Sequence, residues 1–189
     1  MILTNYFSIV SIVLDADDNP HLVFESLNAK GSPLTQADLI RNYFFMRIHV
    51  NNQEEIYLKY WNPMQEALGD KLSEYIRHYL MRLGSVVKQT DVYFTLKENV
   101  NVENATDYLR ELHLFADYYQ RLISPEQEAD PALRRHFYRL NRIEVTTAYP
   151  LLLNFYSLYK NNGISKNDFI AVLKTLEIFA LTDLPTKLS

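Results

Sequence analysis

The sequence predicts a mainly α protein, an irregular multi-helix bundle preceded by one N-terminal β-strand, and three observations carry that expectation. Apolar residues return every three or four positions through most of the chain. Its 189 residues include only 4 glycines, too few for the tight turns of an all-β fold. Hydrophobic residues make up 48% of the chain, enough to fill one substantial domain, or one domain with part of another.

Residues 8–14 are β-branched and stop at the acidic turn Asp15-Ala16-Asp17-Asp18-Asn19-Pro20, which reads as a strand. No second convincing strand follows. Its ladder partners are therefore expected in another chain or in a preceding segment, and a homodimer through the exposed strand is one expected assembly. Pro20 opens a short helix that ends at Gly31. Thr35 is the expected N-cap of the next helix, with Asp38 completing a shortened capping box and Leu34 and Leu39 forming a staple. Ala37, Ile40, Phe44 and Ile48 make its apolar row, widened by Leu39, Tyr43 and Met46.

Ile56, Tyr57, Tyr60 and Trp61 form an aromatic stripe up to Asn62-Pro63, where a break is expected with Asn62 capping a new turn. Leu72, Tyr75, Ile76, Tyr79, Leu80 and Leu83 mark a helix closed by Gly84. A short helix after Asp91 uses Tyr93, Phe94 and Leu96. The longest, over residues 103–123, turns Leu109, Leu112, Phe115, Ala116, Tyr119 and Leu122 inward. Ser124-Pro125 ends it, and an acidic loop through Asp130 leads to a helix with Leu133, Phe137 and Leu140 on its core face. Residues 146–159 are helical with a kink or restart at Pro150, and Ser165 and Asp168 cap the last helix, which runs through Leu181.

Net charge is −4, which argues against a dedicated non-specific nucleic-acid binder but leaves room for a local basic face. There is no cysteine, so disulfides, a thiolate nucleophile and zinc–sulfur sites are excluded. The apolar N-terminal run lacks the leading positive charge of a signal peptide, and no stretch reaches the ~18 apolar residues of a membrane span. The expected compartment is the cytoplasm, with no membrane partner.

Chemistry-bearing residues concentrate in two places. Residues 23–45, VFESLNAKGSPLTQADLIRNYFF, place Glu25, Asn28, Gly31, Asp38, Arg41 and Asn42 around one helix-turn-helix elbow. Caps and ion pairs account for each of them, with Arg41 pairing to Glu25 or Asp38. The alternative is one wall of a nucleotide or nucleic-acid pocket, with Arg41 as a phosphate fork. The second place is the basic run in which Arg135, Arg139 and Arg142 share a face opposite Leu133, Phe137 and Leu140. That face either tracks phosphates or is merely solvated, and Glu126, Glu128 and Asp130 are expected to neutralise part of it. His21, His49, His78, His113 and His136 show no metal-pair spacing, and the tyrosines, Tyr75, Tyr79, Tyr118 and Tyr119 among them, sit at core spacing. No catalytic residue and no metal ligand is assigned.

The elbow resembles the FE-x-LN-x-x-G-x-x-L-x-x-x-DLIRN signature of GmrSD-type restriction endonucleases, whose N-terminal half is a ParB-like domain. The resemblance is specific over about residues 5–49 and loose to about Glu177. It implies a C-terminal part of a ParB-like nucleotide-handling domain over residues 1–49, the strand being its remnant, and a helical extension over residues 50–189. It further implies that the intact protein binds a nucleoside triphosphate and a divalent metal and acts on modified foreign DNA. The DGQQR-type motif upstream of the elbow, the paired histidines of an HNH nuclease and the arginine pair after the last helix have no counterpart here; the last is replaced by Phe179-Ala180-Leu181-Thr182-Asp183. This chain alone is therefore expected to be non-catalytic. A helical protein-protein interaction module without a nucleic-acid role is the competing expectation.

Overall fold

A computed structural model of the chain describes residues 34–182. The chain divides into two compact units, Met1–Thr35 and Gln36–Ser189, and all the helices below belong to the second. The strand expected at residues 8–14, the helix expected after Pro20, and Glu25, Asn28 and Gly31 lie outside the described residues. Every regular element among the described residues is helical, as composition and periodicity lead one to expect.

Helix α1 (Gln36–Phe45) buries Ala37, Leu39, Ile40, Tyr43 and Phe44. Met46 lies one residue past its end and is exposed instead. Helix α2 (Val50–Ile56) runs into a π-helical stretch, Tyr57–Trp61, and on into α3 (Asn62–Leu68). The break expected at Asn62-Pro63 does not occur. Asn62 is helical and does not N-cap a new turn; its N–H reaches back five residues to the Tyr57 carbonyl. Pro63 has no N–H to give and its ring crowds the carbonyl four residues earlier, so widening the turn accommodates it without breaking the helix. Trp61 is then buried, its indole N–H donating to Gln65 Oε1 at 2.8 Å.

Helix α4 (Leu72–Met81) ends in a turn whose Gly84 takes φ +98°, a conformation that strains any residue with a Cβ. Leu83 sits in that turn, exposed rather than on the apolar face. Helix α5 (Val92–Asn99) buries Val92, Tyr93 and Leu96 and leaves Phe94 exposed. The 19-residue α6 (Ala105–Ile123) buries all six residues expected of it, plus Ala105 and Tyr118. It packs against α1, α3, α4 and two later helices, α7 (Pro131–Arg142) and α8 (Tyr149–Lys160). Pro150 lies in the first turn of α8, where a missing N–H costs nothing, so the helix starts there and does not kink. The last helix, α9 (Lys166–Thr182), lies against α7 and α8. Its capping box is closed as expected: the Asp168 N–H donates to Ser165 Oγ at 3.2 Å, and the Ser165 N–H to Asp168 Oδ2 at 3.0 Å.

The core is largely aromatic. Tyr75, Tyr79, Tyr119 and Phe115 meet at centroid distances of 5.2–6.3 Å between α4 and α6. The buried Tyr75 hydroxyl donates to the Leu112 carbonyl. A second cluster joins α7, α8 and α9: the rings of Phe137 and Phe169 lie 5.9 and 5.6 Å from Tyr156. Such rings bury large areas and, as edge-on and offset pairs, add about 0.5–1.5 kcal/mol each beyond burial. The tyrosines singled out in the sequence are thus core residues.

Candidate functional site

Helix α1 is held by side chains that bond across helices. Gln36 Oε1 accepts the Tyr93 N–H of α5 at 2.9 Å, Ser73 Oγ of α4 accepts the Ala37 N–H at 3.1 Å, and the buried Tyr43 hydroxyl donates to the Val100 carbonyl at 2.8 Å. On this fixed helix Asp38 and Arg41 face the same side, one turn apart, with Oδ1 and a guanidinium nitrogen 3.4 Å apart. Asn42 is half-buried beside them. Of the two partners expected for Arg41, Asp38 is present; Glu25 is outside the described residues, as are Asn28 and Gly31. Arg41 and Asp38 keep 31% and 33% side-chain exposure, so the pair is partly screened by water and still reachable from solvent.

The basic run is anchored from below. Asp130 N-caps α7, its Oδ1 accepting the N–H groups of Ala132 at 2.9 Å and Leu133 at 3.3 Å. Pro131 follows at the first helical position, where its fixed φ suits the start. Lys166 at the head of α9 pairs with the other Asp130 oxygen. Burial works to raise the Asp130 carboxyl, but Lys166 and the two N–H donors outweigh it and hold it below the usual carboxylate range.

From that start, Leu133, Phe137 and Leu140 turn into the core. Arg135, Tyr138, Arg139 and Arg142 fall at positions i, i+3, i+4 and i+7 and are all exposed. They form one stripe with an aromatic ring among three guanidinium groups. Two surface depressions share Arg139 and Arg142 as a common wall. One, of about 380 Å³, is lined by Pro131, Arg134, Arg135 and Tyr138 as well; the other, of about 420 Å³, reaches Ile143, Glu177 and Leu181.

The charge balance of this face differs from the sequence expectation. Glu128 is buried, accepts the Tyr156 hydroxyl, and bonds the Asp130 N–H at 2.9 Å. Asp130 is used as a cap. Neither neutralises the stripe. The carboxylate that does reach it is Glu177, 38 residues further on: its Oε2 lies 3.4 Å from Arg139, and its Oε1 lies 2.5 Å from Nδ1 of the buried His136. Arg139 retains 55% side-chain exposure in that pair, so a stronger anion can compete for it. Arg134 is occupied differently, donating to the Glu128 and Ala129 carbonyls and pinning the acidic loop. Among the described residues Arg135 and Arg142 make no ion pair.

Tyr138 escaped the sequence reading, although its position three residues after Arg135 was the available signal. Glu177 could not be found that way, since nothing in the sequence links it to Arg139. A larger groove of about 740 Å³ lies between α3 and α6, floored by Met64, Ala67, Leu114 and Ala116. Its three carboxylates are already paired, Asp107 with Arg110, Glu111 with Arg82, and Asp117 with Arg121. It offers volume without unpaired charge, whereas the stripe offers charge. Among the described residues no group of His, Asp or Glu side chains is arranged to hold a metal ion, and no helix is long and apolar enough to cross a membrane. Compared with known proteins, the chain matches no family model, no curated protein and no solved structure.

Proposed function

We propose that this chain is the helical part of a GmrSD-like restriction or phage-defence protein and that α7 is its contact with the nucleic-acid backbone. The observation that supports this reading best is the row of Arg135, Arg139 and Arg142 along one exposed face, with two of the three lacking a carboxylate partner among the described residues. A guanidinium presents two parallel donors to a phosphate, and its charge displaces the counterions condensed there. In the intact protein the elbow of Glu25, Asn28, Gly31, Asp38, Arg41 and Asn42 would form a wall of the nucleotide site, with a divalent metal accompanying the nucleoside triphosphate. The substrate would be modified foreign DNA and the compartment the cytoplasm. This chain alone supplies binding and no chemistry.

The test is a titration of the purified chain into fluorescently labelled DNA, repeated with Arg135, Arg139 and Arg142 changed together to Gln. The triple variant should bind at least about 10-fold more weakly, since a bond to a charged group contributes about 1.5–3 kcal/mol. Equal affinity in a folded triple variant would remove the basis of the reading.

A second reading, a helical protein-protein interaction module, draws on α9, where Ile178, Phe179 and Leu181 are 63%, 63% and 58% exposed. Self-association through the strand expected at residues 8–14 belongs to the same reading. Light scattering separates the two: a concentration-dependent dimer with no DNA binding favours the interaction module.

A further inference from the structure

The stripe on α7 is more than a row of charges, because Tyr138 stands within it. We infer that the α7 track takes an unpaired, single-stranded stretch of nucleic acid, with Tyr138 stacking on a base while Arg135, Arg139 and Arg142 hold the flanking phosphates. The inference rests on the proposed function and narrows its ligand class.

Two physical arguments carry it. The first is alternation. Along one face the order is cation, ring, cation, cation, with the ring 46% exposed. A single strand alternates phosphate and base in the same way, and its bases have free π-faces. In a duplex those faces are stacked inside, so an exposed ring could touch only edges or sugar. The second is charge density. From Arg135 to Arg142 the helix rises about 10 Å, at about 1.5 Å per residue. A duplex carries one phosphate charge per ~1.7 Å, or about six over that length, whereas one strand carries about three. Three arginines match the single strand, and the net charge of −4 on the whole chain opposes the denser duplex more strongly.

The surroundings fit the same ligand. The second depression adds the apolar edges of Ile143 and Leu181 beyond Arg142, a place for a further base. The adjoining Glu177 already engages Arg139 at 3.4 Å, so a phosphate arriving at Arg139 exchanges one anion for another.

Fluorescence anisotropy with a labelled oligothymidine of about 12 nucleotides, within the 4–16 nucleotide range of known single-strand sites, tests the inference against a duplex of equal length. The expected result is tighter binding of the single strand. Tyr138→Ala should weaken single-strand binding by about 5- to 100-fold, as loss of a stacked aromatic does, and leave duplex binding within about 2-fold. Tyr138→Phe should restore the wild-type value, because it keeps the ring. Arg135→Gln should weaken both ligands. If Tyr138→Ala changes nothing, or the duplex binds more tightly, the single-strand inference is overturned while the proposed DNA contact stands. Binding of polyglutamate as tight as that of the oligonucleotide, or of neither nucleic acid, overturns both.

Discussion

Replacing Tyr156 by phenylalanine removes one hydroxyl and almost no volume from a site with 0% exposure. That hydroxyl donates to Glu128, which is itself 2% exposed and whose other oxygen accepts the Asp130 N–H at 2.9 Å. The pair ties the loop before α7 to α8, and Asp130 caps the helix that carries the arginine stripe. Because the ring stays, no cavity term enters, and the change isolates one hydrogen bond to a buried carboxylate. Such bonds contribute about 1.5–3 kcal/mol, and the bereft oxygen has no route to water. The expected loss is about 2 kcal/mol, seen in urea denaturation as a lower midpoint at unchanged slope. In a chain of this size it corresponds to roughly 4–8 °C in Tm. Tyr138→Phe, on the exposed stripe, serves as the control and should move stability by less than ~0.5 kcal/mol. A Tyr156→Phe loss as small as the control's would show that the Glu128 carboxylate does not depend on this donor, and would refute its place as the anchor of α7.

Three further outcomes follow from the same packing. Phe169→Ala empties the centre of the cluster between α7, α8 and α9, where Phe169 is 0% exposed, and should cost about 3–5 kcal/mol in denaturant unfolding. Arg41→Ala breaks a pair that is one-third exposed, at 3.4 Å, and should cost at most ~1 kcal/mol; a larger loss by thermal melting would mark Arg41 as part of the core framework. His78 is buried between Tyr119 and Tyr149; Arg77 can only donate to its Nε2, so Nδ1 carries the proton toward the Tyr119 hydroxyl. Burial first, and the Arg77 cation second, push its pKa down from 6.5 to about 4. The unfolded chain then takes up a proton near pH 6.5 that the folded chain refuses until about pH 4, so His78 lowers stability as pH falls through that window, by up to about 3 kcal/mol. In paired unfolding curves the advantage of wild type over His78→Gln should shrink by that amount between pH 7 and 4, and a constant gap would contradict the assignment.

The helices that the sequence defined best are those with a periodic apolar face or a side-chain cap. Residues 105–123 and 131–142 each have a clear apolar stripe, and residues 131–142 and 166–182 each have a polar side chain at the start that closes on its own backbone. The passage through Asn62-Pro63 was illegible because a proline normally signals a boundary, while the turn that absorbs it is built from main-chain bonds that no side chain announces. At the site, the shared face of Arg135, Arg139 and Arg142 followed from spacing alone. Its electrostatics did not, because proximity in sequence nominated Glu126, Glu128 and Asp130, whereas Glu128 is buried against Tyr156, Asp130 caps the helix, and Glu126 makes no ion pair among the described residues. The actual neighbour, Glu177, is brought over by the packing of α9 on α7. At the elbow, two partners were open to Arg41 on sequence grounds; the pair with Asp38 is formed across the single helical turn between them, while Glu25 lies outside the described residues.

The central claim, that Arg135, Arg139 and Arg142 lie against phosphates, is tested most directly by the salt dependence of binding. The affinity of the full chain for a labelled single strand, measured across a series of salt concentrations, should fall with a log–log slope steeper by about 2 than that of the triple Gln variant. That is about 0.7 per neutralised phosphate on a single strand, over three contacts. Parallel slopes for the two proteins would contradict it.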